Sequence, residues 1–165
     1  MVAMPVNRQT VDLSAYPDLV VIYLGMRVNA LRGLSMLARL GPEIRSVPDS
    51  NPDGLLLHES MFYSLRQVGF RQYWRDFESM ERWTRSDPHR KWWKQFLKDS
   101  GGTGFWHETY FIRGGFEAIY DDMAAPIGMM NFADVRPAKG RMFGARARLG
   151  LKGEPPAPVV GEDES

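Results

Sequence analysis

Residues 19–26, Leu-Val-Val-Ile-Tyr-Leu-Gly-Met, form an almost unbroken apolar run, β-branched at its start and preceded by Tyr16-Pro17-Asp18. That is the pattern of a strand buried on both faces. The period then changes. Leu31, Leu34 and Ala38 recur at helical spacing, Leu37 and Leu40 widen the stripe, and Asn29 is placed to cap the helix. Gly41-Pro42 is expected to interrupt it, and residues 47–54 are dense in turn formers. Two β-favouring runs, 55–63 and 68–74, are separated by a short polar connection and predict an antiparallel hairpin. Residues 76–85 read as a helix with Phe77, Met80 and Trp83 on one side. Ser86-Asp87-Pro88 marks a second helix start, after which His89, Trp92, Trp93, Phe96 and Leu97 fall on a single apolar face. Ser100-Gly101-Gly102 ends this helix, and 105–112 supplies a last aromatic, β-branched strand.

The order is β-α-β-β-α-β, so the expected fold is α+β: a ferredoxin-like domain with an antiparallel sheet and helices on one face. The other face needs a cover, and the aromatic excess of these strands points to a second copy of the sheet or to a ligand. A homodimer through sheet faces is the expected assembly. By the same reading residues 1–17 are an N-terminal extension and 18–132 the domain, ending in an arm that starts with a short strand near 116–120. The basic stretch from Arg136 and the Pro-rich, acidic tip make 133–165 a disordered tail.

Composition narrows the function more by exclusion than by assignment. The 165 residues are 44% hydrophobic, which suffices for one buried core, and the formal charge of +1 gives no global field toward nucleic acid or an anionic membrane. There are no cysteines, which removes disulfides, thiolate metal sites and Cys nucleophiles and suits a cytoplasmic protein. The N-terminus lacks the basic and apolar regions of a secretory signal, and no apolar run is long enough to span a bilayer. HExxH, GxSxG, Walker and Rossmann patterns are all missing.

Three histidines remain: His58, His89 and His107. His58-Glu59 and His107-Glu108 lie in strands, where neighbours point to opposite faces, so neither pair can act together on one substrate. Cross-strand pairing could instead set the His of one strand near the Glu of the other. His107, flanked by Trp106 and spaced by two from Phe105 and Thr109, is the preferred functional histidine, with a core imidazole bonded to a carbonyl as the equal alternative. The same alternative weighs more heavily for His58. His89 shares its helical stripe with Trp92, Trp93 and Phe96, which would suit a haem or a flat organic ligand, although such a stripe is more often core. Gln72, Tyr73 and Trp74 add donors and ring surface beside these candidates.

Three segments, Gln72-Tyr73-Trp74-Arg75-Asp76-Phe77-Glu78, Asp87-Pro88-His89 and Gly104-Phe105-Trp106-His107-Glu108-Thr109-Tyr110, together resemble the family typified by the fumagillin-pathway monooxygenase. Gly25-Met26-Arg27-Val28-Asn29 and Tyr120-Asp121-Asp122-Met123 extend the resemblance over roughly residues 18–130. It implies a dimeric α/β-barrel type of fold and oxygenation of a small hydrophobic metabolite, as in secondary metabolism, without flavin or metal. In such enzymes the deprotonated substrate supplies electrons to oxygen. On that resemblance His107 would be the base, and Trp74, Trp92, Trp93 and Trp106, with Tyr73 and His58, would line the substrate cavity. Haem is the alternative cofactor, held by His89 or His107 as axial ligand. A non-catalytic dimeric binding module is the third reading.

Overall fold

A computed structural model describes residues 6–153 and divides the chain into two compact units. The larger, Asp18–Phe111, contains β2 (Val20–Val28), α1 (Gly33–Arg45), β3 (Leu55–Ser64), β4 (Gln67–Trp74), α2 (Phe77–Arg85), α3 (His89–Lys98) and β5 (Thr103–Phe111). Its four strands run antiparallel in the order β3-β4-β2-β5. This is the ferredoxin-like βαββαβ arrangement, with the second crossover made of two helices instead of one.

Register sorts the side chains of this sheet. Val20, Ile22, Leu24 and Met26 of β2 share a face with Phe70, Gln72 and Trp74 of β4 and with Phe105, His107 and Thr109 of β5, because β2 pairs Ile22 with Gln72 and Thr109 and Leu24 with Phe70 and His107. The helices cover this face in two core clusters. Val20, Ile22, Trp74 and Met80 gather Phe77 and Trp83 of α2 at one end, and Met26, Met36 and Leu40 gather Ile44 of α1 and Trp92 of α3 at the other. The opposite face carries Tyr23, Arg71, Tyr73, Trp106, Glu108 and Tyr110. There Gly25 and Gly69 stand directly across from one another, under the edge-on rings of Trp106 and Tyr63, whose centroids are 5.5 Å apart. A Cβ on Gly25 would come within 2.8 Å of the Trp106 indole nitrogen, and one on Gly69 within 2.9 Å of the Tyr63 ring.

The hydrophobic pattern places α1 inaccurately. Leu31 and Leu34 are 88% and 53% exposed, and the buried face is Gly33, Met36 and Leu40. The helix begins after Asn29, whose backbone N–H instead donates to the Gly102 carbonyl, and Arg32 takes the cap position without a side-chain bond. Nor does Pro42 end it. The missing N–H frees the carbonyl of Ala38 on the exposed side, where water can satisfy it, and the helix runs on to Arg45. The start of α2 matches expectation, with Asp76 accepting from the Ser79 N–H at 2.7 Å. At α3 no side chain caps the helix, and Asp87 pairs with Arg90 and Lys91.

The second unit joins residues up to Pro17 to those from Ile112 onward. Here β1 (Arg8–Asp12) lies between β6 (Tyr120–Asp121) and β7 (Asp134–Pro137), both antiparallel to it. Tyr16 meets Phe132 edge to face at 5.3 Å. Arg148, at the end of α4 (Ala145–Arg148), is held by Glu117 and by the carbonyls of Met142 and Phe143. Residues 8–12 of the expected extension and 134–137 of the expected tail are thus paired strands, and the two units divide between Phe111 and Ile112. Of the expected tail, 154–165 lie outside the described residues. Among the described residues no helix is long and apolar enough to cross a membrane.

Candidate functional site

Between the helix-bearing face of the sheet and the three helices lies a cavity of about 380 Å³. Its floor is Ile22, Leu24, Met26, Gln72, Phe105, His107 and Thr109, and its walls come from α1, α2 and α3, chiefly Trp83, Trp92, Trp93 and Phe96. The size and the apolar lining with few polar groups are those of a small-molecule site. The cavity explains an anomaly of α3. Its sequence is strongly amphipathic, yet the helix has no buried residue, and Trp93 is 42% exposed. The face that a core would cover borders this space instead. Trp93 stacks on Phe96 at 5.7 Å, and both rings meet Phe105 edge-on. Trp92 is anchored to α1 by donating its indole N–H to Glu43 at 2.7 Å.

Two imidazoles face this aromatic lining. His89 bonds through Nδ1 to the Thr84 carbonyl at 2.8 Å. A carbonyl can only accept, so Nδ1 carries the proton and the neutral ring keeps its lone pair on Nε2. Burial against Trp83, at 5.1 Å, holds the His89 pKa below its ordinary value, the Thr84 bond opposes this, and the nearby His107 lowers it further. The His107 ring stands beside Phe105 at 6.0 Å, and no hydrogen bond joins the ring to a described residue. The helix-covered cavity is where His107 points, whereas Glu108 points to the open face and accepts from the Tyr110 hydroxyl. The cavity that His107 lines lies between the sheet and the protein's own helices.

The other candidates are placed differently. Trp74 is fully buried in the core and does not line the cavity; its indole N–H donates to Gln72 Oε1 at 3.0 Å. His58 packs on Phe70 at 4.6 Å, bonds through Nδ1 to the Gln72 amide at 2.9 Å, and is driven by burial to a pKa of about 4. Its Nε2 is buried with no partner among the described residues. Tyr73 and Trp106 belong to the face opposite the helices, Tyr73 buried beneath the Arg71 guanidinium and Trp106 with its indole nitrogen buried and without a partner among the described residues. The His–Glu contacts across strands do not form. His58 pairs with Gln72, and Glu59 forms an ion pair with Arg71 at 2.6 Å. Gln72 itself was read only as an auxiliary donor; its 3% exposure beside two polar neighbours makes it a central one. No group of three or more metal-ligating side chains occurs among the described residues.

Two known structures align over most of the chain and share this fold. An aldoxime dehydratase in complex with butyraldoxime aligns with a TM-score of 0.65 and 20% identity, covering 88% of this chain and 43% of that one. A second aldoxime dehydratase structure gives 0.62 and 20% over 88% and 44%. SnoaB, a cofactor-independent oxygenase from Streptomyces nogalater, gives 0.40 and 12% over 56% and 91%. The comparison with curated proteins returned no match. The family model for monooxygenase af470-like proteins matches residues 19–129, from the first strand of the sheet through both histidines of the cavity, and the chain belongs to that family.

Proposed function

We propose that the protein is a monooxygenase for a small hydrophobic metabolite, working without flavin or metal, with the helix-side cavity as its active site and His107 as its base. One observation carries the reading: an imidazole with no hydrogen bond to a described residue lines a cavity that is otherwise almost wholly apolar and aromatic. His107 takes a proton from an acidic C–H or O–H of the bound molecule. The resulting carbanion or its conjugated equivalent gives electrons directly to O₂ beside apolar, aromatic walls. For an activated methylene the balance is CH₂ + O₂ → C=O + H₂O. The carbon is the reductant, one oxygen atom enters the product, the other leaves as water with the two hydrogens, and no external electron donor is needed. The assembly in this reading is a homodimer through the open sheet faces, in the cytoplasm, within secondary metabolism.

The test is oxygen consumption with a panel of phenols and terpenoids. His107→Ala is expected to lower kcat by about a hundredfold or more, the usual worth of a general base, with the native fold kept. Undiminished turnover removes His107 from the mechanism, and no uptake of oxygen by the unaltered protein leaves a binding module.

Haem binding is favoured by a separate observation. An imidazole whose Nδ1–H is held by a carbonyl presents Nε2 in the manner of an axial ligand. His89 or His107 would hold the iron, which when bound supplies redox chemistry toward oxygen. Aromatic walls suit the macrocycle, but among the described residues no Lys or Arg lines the cavity, so the propionates would have to reach solvent. A Soret band on adding haemin, lost in His89→Ala or His107→Ala, is the expected sign; a spectrum of free haemin eliminates this reading.

A further inference from the structure

One row of the sheet sets the polar character of the cavity floor. His58, Gln72, Ile22 and Thr109 stand side by side across β3, β4, β2 and β5, and Gln72 lines the cavity while almost wholly buried. Its amide cannot turn. The Trp74 indole nitrogen is a donor only, so the group it meets at 3.0 Å must be the Gln72 oxygen. That leaves the Gln72 NH₂ facing His58 Nδ1 at 2.9 Å, and since an amide nitrogen only donates, Nδ1 is the acceptor. The His58 proton therefore sits on Nε2, and burial keeps the ring neutral well below physiological pH. An NH₂ has two hydrogens. Only one has a partner among the described residues.

We propose that Gln72 is a specificity-determining residue that donates its second N–H to an acceptor oxygen of the ligand, a ketone, enolate or phenolate, with Trp74 and His58 as positioning residues. The inference rests on the reading of the helix-side cavity as the active site. It adds a polar requirement at the opposite side of β2 from His107. Gln72 and His107 lie two strand spacings and two residues of rise apart, about 12 Å between backbones. The ligand thus carries its acceptor oxygen at one end and the atom that loses a proton toward the other. Where conjugation joins the two, charge arriving on the oxygen as the proton leaves strengthens the Gln72 bond, so this donor favours the reacting state over the ground state.

The test is equilibrium binding of a matched pair, indan-1-one and indane, measured by calorimetry and tryptophan quenching on the full chain. Gln72→Met keeps the volume and removes the donor. It is expected to lower the ratio of ketone to hydrocarbon affinity by about fivefold, the worth of one hydrogen bond. His58→Phe, which releases the amide without removing it, should lower the ratio by less. In the unaltered protein the carbonyl stretch of bound indan-1-one should fall below its value in hexane. That measurement decides the matter if Gln72→Met does not fold. An unmoved affinity ratio, or a bound carbonyl that absorbs as in hexane, overturns the role of Gln72 while the cavity stands. Failure of both ligands to bind refutes the cavity reading and this inference with it.

Discussion

Replacing His58 by Phe should flatten the acid limb of the protein's stability curve. Burial lowers the folded-state pKa of His58 from 6.5 to about 4, whereas the unfolded chain keeps the ordinary value. Above pH 6.5 both states hold the ring neutral, and His58 adds no pH dependence. Below it the unfolded chain gains a proton that the folded chain refuses, so stability falls with pH until the folded ring titrates near 4. Over that window one such group removes about 2.5 kcal/mol between about pH 7.5 and about pH 4.5. His58→Phe keeps a ring against Phe70 but leaves one Gln72 N–H unpaired, an offset of about 1–3 kcal/mol that does not vary with pH. The assay is urea unfolding of both proteins across that range. His89, also lowered by burial, titrates in the same direction in both, so the difference between the two curves isolates His58. The unaltered protein should lose about 2.5 kcal/mol more than the variant on acidification. Parallel curves would show that the ring is not held neutral, and the assignment of its proton to Nε2 would fail with it.

Asp76→Ala should cost about 1 kcal/mol through loss of the α2 cap, while Asp76→Asn keeps most of that stability. The pKa of Asp76 is held down to about 2 by its bonds to Ser79 and Arg75 against an opposing burial effect, so its contribution is present above 3.8 and fades as pH falls toward 2; unfolding of the Asn variant should lack that acid loss. Trp93→Ala should scarcely change the thermal midpoint, since the ring is 42% exposed, yet weaken indane binding by about tenfold or more. Trp74→Ala, at a fully buried position, should instead cost about 3–5 kcal/mol in urea unfolding. Equal stability losses at the two tryptophans would contradict the division between cavity wall and core.

Most of the larger unit was legible because its signals are local. The apolar run of β2, the hairpin of β3 and β4, Asp76 before α2 and the aromatic alternation of β5 each carry their own period. The register of α1 was lost because Leu31 and Leu34 mimic a helical stripe although Leu31 precedes the helix and both stay in solvent. The smaller unit gave almost no signal. Its strands β6 and β7 have two and four residues, and they pair with β1 from more than a hundred positions away, where no periodicity can announce the contact. The same division holds for the site. Strand parity separated His107 from Glu108, and helical spacing gathered His89, Trp92, Trp93 and Phe96 on the face that meets the cavity. Parity cannot say which face the helices cover, nor that Trp74 would sit inside the core, although it does set Trp106 across the sheet from its neighbour His107. The Trp74–Gln72–His58 chain depends on register between β3 and β4, fixed only once the bulge between Leu55 and Leu57 shifts the pairing.

The lack of any buried residue on α3 also makes this helix a reporter. A molecule that fills the cavity supplies the apolar surroundings that the chain itself does not, so guest occupancy and helix protection are thermodynamically linked. Amide hydrogens of α3 should exchange early in the empty protein and slow selectively as the cavity fills. At a hundredfold excess over Kd the added stability is about 2.7 kcal/mol, large enough for a melting screen. Candidate metabolites can thus be ranked by how far they slow exchange in one ten-residue segment, before any reaction has been found.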